Sequence, residues 1–281
     1  MLQNEVDISV VIPLLNEEDN LLPLYEEINE ALRGKYSYEI IFVDDGSTDR
    51  SFEILSGLAA KDANVTVIQF RRNFGQTPAM AAGFAHARGK VICPMDADRQ
   101  NDPNDIPRML EKMKEGYDIV SGWRKDRQDK FVTRRIPSML ANGLIARITG
   151  VRLHDFGCTL KAYNREVIKE TPLYGEMHRF IPAVASWCGA RITEMVVNHR
   201  PRVAGVAKYG LARTFKVVLD LITVKFLLSF STKPIYVFGG LGVFSALGAC
   251  ASGAAVLYQK FISSQQLAMN RNPLLPLTAM L

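Results

Sequence analysis

Two aspartates one residue apart, Asp96 and Asp98, follow directly on the apolar run Lys90–Met95. Carboxylates this close repel, and the repulsion raises one proton affinity unless a cation offsets it. A hard divalent ion takes one or two carboxylates and completes its shell with phosphate oxygens and water. Asp96 and Asp98 therefore suit a hard divalent ion held against a diphosphate. The plain alternative is a solvated turn with two capping aspartates, since Pro103 opens a helix soon after. A second acidic group, Asp44-Asp45-Gly46-Ser47-Thr48-Asp49, also follows an apolar run. Gly46 permits a tight turn, and Ser47 or Thr48 is expected to cap the next helix. Asp44 and Asp45 stand where a base or ribose could be held. A third tip, Pro13-Leu14-Leu15-Asn16-Glu17-Glu18, offers Asn16 as a helix cap and two glutamates that complement a helix N-terminus.

What must position these tips is an alternation of strands and helices. Apolar runs at Asp7–Leu14, Glu39–Val43, Val65–Phe70, Lys90–Met95 and Tyr117–Ser121 predict buried strands. Helical spacing appears in Glu17–Leu32, Ser51–Leu58, Gln76–Ala87 and Pro103–Glu115. Such alternation predicts an α/β domain, a mostly parallel sheet with helices on both faces. Ligands of such sheets bind beyond the carboxyl ends of the strands. Three acidic tips at three strand ends would converge on one crevice, which favours the cation reading over the solvated turn. After residue 123 the alternation weakens. Thr133–Ile148 reads as an amphipathic helix, and Gly157–Tyr163 and Ile192–Asn198 as further strands.

The set VVIPLLNEE, VDDGSTD and MDAD resembles the family-2 inverting glycosyltransferases of GT-A fold, Rossmann-like in architecture. With HDFGCTLKAY (His154–Tyr163), HRPRVAGVAKYG (His199–Gly210) and the apolar C-terminal end, the chain is similar to the polyprenyl-phosphate glycosyltransferases. That group includes the dolichol-phosphate mannose synthases and the bacterial undecaprenyl-phosphate glucosyltransferases. The resemblance covers essentially the whole chain. It implies that Pro13, Asn16, Glu17 and Asp44 line the nucleotide pocket, with Asp45 close by. It implies that Asp96 and Asp98 hold the Mg²⁺ or Mn²⁺, and that Arg202 and Lys208 close over phosphates. It gives the acceptor lipid phosphate to Arg124, Arg134, Arg135 and Ser138, leaving open which of the two adjacent arginines faces the site. Asp155 is a further site candidate. Two positions depart from the family pattern: Arg99 stands where many relatives have Leu, and Cys158 where they often have a second Asp. Arg99 is expected either to add charge near the phosphates or to face water.

The chemistry expected is inverting transfer of one hexose, of glucose or mannose type, from a nucleoside diphosphate sugar to a polyprenyl phosphate. A UDP-hexose is favoured over GDP-mannose as donor. A lipid phosphate is already anionic near neutral pH, so it needs positioning and charge screening more than a base. A missing second Asp at position 158 is consistent with that. Two other readings compete: a membrane-attached family-2 transferase acting on a glycan or protein hydroxyl, and a non-catalytic module binding nucleotide sugar or lipid.

The 281 residues carry a formal net charge of +5, unevenly placed. Residues 121–152 hold eight Lys/Arg against Asp126 and Asp129, and residues 199–233 hold seven against Asp220 alone. These basic runs lie beside apolar segments, which suits anionic lipid or phosphate; no zinc-finger or RNP pattern points to nucleic acid. The four cysteines lack C-x-x-C spacing, so reduced thiols are expected. No basic start followed by an apolar run marks a signal peptide. Residues 234–258 are 25 uncharged residues. As a helix they would reach about 37 Å, enough to cross a bilayer core of about 30 Å. The expected organisation is a catalytic domain over 1–210, amphipathic juxtamembrane helices over 211–233, a membrane helix over 234–258 and the start of a second over 273–281. Lys225 and Lys233 place the catalytic domain on the cytosolic face of a multi-pass protein in the cytoplasmic membrane. The resemblance further implies a homotetramer.

Overall fold

The computed structural model describes residues 6–125, 143, 145–147, 149–171, 177–201, 223, 225–226, 230 and 233–261. They fall in two compact units, divided between Lys225 and Phe226.

In the first unit seven strands form one sheet: β1 (Val6–Leu14), β2 (Tyr38–Asp44), β3 (Val65–Gln69), β4 (Gly89–Pro94), β5 (Ile119–Trp123), β6 (Lys161–Asn164) and β7 (Ile192–Val196). Their order is β3-β2-β1-β4-β6-β5-β7. The first four strands pair in parallel, as the alternating pattern predicts, and β5 pairs in parallel with β7. Only β6 runs against its neighbours β4 and β5. The helices α1 (Glu18–Leu32), α2 (Ser51–Ala59), α3 (Gln76–His86) and α4 (Asp105–Met113) link successive strands. Later come α5 (Arg165–Glu170), a 3₁₀ turn at Met177–Arg179 and α6 (Ile181–Trp187).

Because strand side chains alternate, β1 feeds two cores. Val10 and Ile12 point into one with Leu21, Leu24 and Ile28 of α1 and Ile106 and Met109 of α4. Val11 points into the other with Ala79, Met80 and Phe84 of α3 and Ile181 of α6. All three β1 residues are fully buried, which for an aliphatic side chain is worth roughly 1.5–3 kcal/mol each. The central strands thus read as continuous apolar runs because both faces are covered.

Three expectations need correction. The strand expected over Gly157–Tyr163 begins only at Lys161. Residues 155–158 form a turn instead, because Asp155 holds the Gly157 amide at 3.0 Å. Neither Ser47 nor Thr48 caps α2: its N-cap is Arg50, without a side-chain cap bond. The first turns of α1 and α2 serve each other. Asp49 accepts from the Glu18 amide at 3.2 Å, and Glu18 from the Arg50 amide at 2.9 Å. Asn16 is likewise no cap: the residue before α1 is Glu17, also without a cap bond.

In the second unit α7 (Ile235–Phe261) contains 24 residues, Ile235–Tyr258, long and apolar enough to cross a membrane, and that stretch is not buried in the protein. The expected second span over 273–281, nearly all of the juxtamembrane stretch 211–233 and most of the helix over 133–148 lie outside the described residues.

Candidate active site

The carboxyl ends of β1, β2 and β4 lie side by side, since β1 pairs with both other strands. Pro13 stands opposite Val43, and Leu14 opposite Asp44. The first two acidic tips are therefore adjacent and bound to one another. Asn16 takes a left-handed backbone, φ 54°. Its side-chain oxygen accepts from the Thr48 amide at 2.8 Å, while its own amide donates to the Ser47 hydroxyl at 2.9 Å. Glu17 bonds Asn20 through its carboxylate and donates its amide to the Ser51 hydroxyl at 3.0 Å.

Asp44 is fully buried. One oxygen accepts from the Ser47 amide at 2.9 Å; the other has no hydrogen-bond partner. A buried ionisable oxygen left unmatched costs free energy, so this position suits a ligand donor such as a ribose or base N–H or O–H. Asp45 differs: its two oxygens accept from the amides of Phe74 and Gly75, at 2.7 and 2.9 Å. Burial raises its pKa despite those bonds. It shapes the loop entering α3, whose backbone also comes against the second tip: a Cβ on Gly46, φ +77°, would lie 2.6 Å from the Arg72 carbonyl carbon.

Asp96 and Asp98 stand just beyond β4. Asp96 accepts from the Gln76 amide group at 3.0 Å, and its own amide donates to the Asn101 side chain at 3.2 Å. Asp98 is buried and accepts from the Gln100 amide at 3.1 Å. Burial, then the charge on Asp98, push the Asp96 pKa up; the Thr159 hydroxyl and the charges of Arg124 and Lys161 act against this. Among the described residues no group of three or more metal-type side chains gathers in one place. Two neighbouring carboxylates, with no third among the described residues, match an ion that draws its remaining ligands from a diphosphate and water. The donor set fits Mg²⁺ or Mn²⁺.

Arg124, just past β5, and Asp155 form a nearly buried two-point ion pair at 2.7 and 3.0 Å. Burial disfavours the Arg124 charge, but the Asp155 bond and charge more than offset it and hold its pKa above the ordinary value. Three neighbours were not singled out in the sequence. Lys161 is buried on β6 and donates to the carbonyls of Cys158 and Phe156; burial lowers its pKa. Thr159 bonds Asp96. Arg179 lines a small cavity with Lys161, Thr159 and His178. Only Lys161 had a usable signal, a lone lysine at the start of an apolar strand. Arg99 is partly buried and pairs with Glu27 of α1 at 2.5 Å. Cys158 is buried and its thiol pKa is raised by burial. Arg134, Arg135, Ser138, Arg202 and Lys208 lie outside the described residues.

The pattern of glycosyl transferase family 2 matches residues 9–171. The dodecaprenyl-phosphate galacturonate synthase of Rhizobium johnstonii is 46% identical over 256 residues, 88% of this chain and 74% of that protein. The undecaprenyl-phosphate 4-deoxy-4-formamido-L-arabinose transferase of Edwardsiella ictaluri is 44% identical over 77% of this chain and 67% of its own length. Among solved structures, glucosyl-3-phosphoglycerate synthase from Mycobacterium tuberculosis, with Mn²⁺ and UDP-glucose, superposes with a TM-score of 0.61 at 18% identity, covering 78% of this chain and 79% of that one. At that identity it shows the GT-A fold alone. The chain belongs to glycosyl transferase family 2, among the polyprenyl-phosphate sugar transferases.

Proposed function

We infer that this protein transfers one sugar from a UDP-sugar to a polyprenyl phosphate, with inversion, at the cytosolic face of the membrane that α7 enters. The observation that carries this reading is the gathering of Asp44, Asp96 and Asp98 at adjoining strand ends, with the Arg124–Asp155 pair beside them through Asp96.

Asp44 holds the nucleoside, with Pro13, Asn16 and Glu17 forming the neighbouring wall. Asp96 and Asp98 hold the divalent ion, which when bound offsets charge on the departing diphosphate. Arg124 commits Nε and Nη2 to Asp155, and its Nη1 remains to receive the acceptor phosphate. Arg134 or Arg135 and Ser138 assist there, and Arg202 and Lys208 screen the donor phosphates. An oxygen of the lipid phosphate attacks the anomeric carbon, the bond from that carbon to the diphosphate oxygen breaks, and UDP leaves. Asp155, occupied by Arg124, positions that guanidinium rather than accepting a proton. An ionised phosphate has no proton to give up at neutral pH.

For the sugar, a uronic acid such as galacturonate takes precedence over a neutral glucose- or mannose-type hexose. The name of the Rhizobium relative supports this.

The test uses membranes containing the full chain and a short polyprenyl phosphate. UDP-galacturonic acid, UDP-galactose, UDP-glucose and GDP-mannose are offered with and without chelator. The expected result is a lipid-linked sugar formed fastest from UDP-galacturonic acid, and no UDP release without polyprenyl phosphate or metal. Turnover that required a soluble sugar acceptor would contradict the reading.

A further inference from the structure

The turn that carries Asp98 is held from outside by charges that the transfer chemistry does not use. Arg99 follows Asp98 with φ 59°, a left-handed backbone that costs a residue with a Cβ about 1 kcal/mol or more. Its guanidinium donates from Nε and Nη2 to Glu27 Oε1, at 3.1 and 2.5 Å. The other Glu27 oxygen accepts from Arg200 Nη1 at 2.6 Å, and Arg200 Nη2 lies 2.7 Å from Asp102 Oδ1. The main chain repeats the link: the Arg200 amide donates to the Gln100 carbonyl at 2.9 Å, and Asn101 bridges His199. Asn198 then ties to Asp102 and Asp105, at 3.0 and 2.7 Å.

One carboxylate on α1 therefore joins three segments far apart in sequence: the helix, the turn after Asp98 and the stretch after β7. Isolated surface ion pairs contribute little, but these side chains are 12–31% exposed and form a network with shared partners. Without Glu27, the guanidinium groups of Arg99 and Arg200 lose their common counter-charge. The strained Arg99 backbone then has less to hold it.

We propose that Glu27 is a positioning residue for the cation site. By gripping Arg99 and Arg200 it fixes the turn over residues 98–102, so that the Asp98 carboxylate is presented beside Asp96. The inference rests on the ion-site reading of Asp96 and Asp98, and it assigns a role to Arg99, the departure from the family pattern.

The test measures Mn²⁺ affinity of the full chain in the presence of UDP by electron paramagnetic resonance, with UDP affinity in chelator measured alongside. Glu27→Gln is expected to weaken Mn²⁺ binding roughly tenfold, while metal-free UDP affinity stays unchanged. Arg99→Gly is expected to bind Mn²⁺ normally, since glycine adopts the left-handed backbone at no steric cost. Glu27→Gln/Arg99→Gly should recover most of the loss, which a merely structural role for Glu27 would not predict. Mn²⁺ affinity of Glu27→Gln within twofold of wild type would overturn the proposal. So would a loss that the glycine fails to relieve. If the wild-type chain binds no Mn²⁺ with UDP present, the ion-site reading falls as well; normal wild-type binding beside an unaffected Glu27→Gln removes this inference alone.

Discussion

Arg124 and Asp155 face one another across 31 residues of sequence in a two-point ion pair, 3% exposed on the aspartate side. Arg124 directly follows β5, and Asp155 lies just ahead of the antiparallel β6. Removing one partner of a buried pair leaves an uncompensated charge, which costs about 3–5 kcal/mol. Asp155→Asn should therefore lower the midpoint of thermal unfolding and reduce transfer by about a hundredfold or more, at that energy scale. Arg124→Lys keeps the charge but loses the fork, and should weaken the acceptor's apparent affinity more than the donor's. Calorimetry and initial rates at varied polyprenyl phosphate check both outcomes.

Asp44 is buried with one oxygen matched only by the Ser47 amide and the other unmatched. Asp44→Asn keeps the shape and removes the charge. UDP affinity should fall about tenfold or more, the size of a charged hydrogen bond worth about 1.5–3 kcal/mol. Titration calorimetry with UDP reads this directly, and an unchanged affinity would remove Asp44 from the nucleotide pocket.

Asp49 predicts a pH effect on stability. Burial works against its charge, but bonds from Ser51 and the Glu18 amide prevail and lower its pKa in the folded chain. A carboxyl with a depressed folded pKa stabilises above its unfolded value, and that contribution is lost as pH falls through the folded value. Asp49→Asn should thus be less stable than wild type at pH 7, with the gap closing as pH falls below about 4. Thermal unfolding across pH 2.5–7 is the check, and a gap that does not change with pH would count against it.

Gly46→Ala should destabilise by about 1–3 kcal/mol, because the added Cβ meets the Arg72 backbone in a left-handed turn. Its UDP affinity should fall too, as Asp44 and the 70–75 loop share that contact region. Chemical denaturation and UDP titration measure the two effects separately.

The sheet was legible because both faces of β1, β2 and β4 are covered, which writes them as unbroken apolar runs. The three acidic tips were legible for the same reason, since a carboxylate ending an apolar run marks a strand end. The caps were misread because Ser47 and Thr48 spend their polar groups on Asn16, 31 and 32 residues away, rather than on α2. The role of Arg99 was invisible for a similar reason: its partner Glu27 sits 72 residues earlier, on an exposed-looking helix face. The orientation of β6 could not be read either, because residues 161–164 are too few to show a pairing direction. Local patterns report elements and their ends; long-range ion pairs have no periodicity to report.

The central claim is that Asp96 and Asp98 clamp a cation against a sugar nucleotide's diphosphate. A crystal structure of the full chain with Mn²⁺ and UDP tests it most directly. The account predicts carboxylate oxygens of Asp96 or Asp98 at about 2.0–2.6 Å from the ion, with diphosphate oxygens completing its shell. An ion or diphosphate bound elsewhere, away from Asp96 and Asp98, would contradict it.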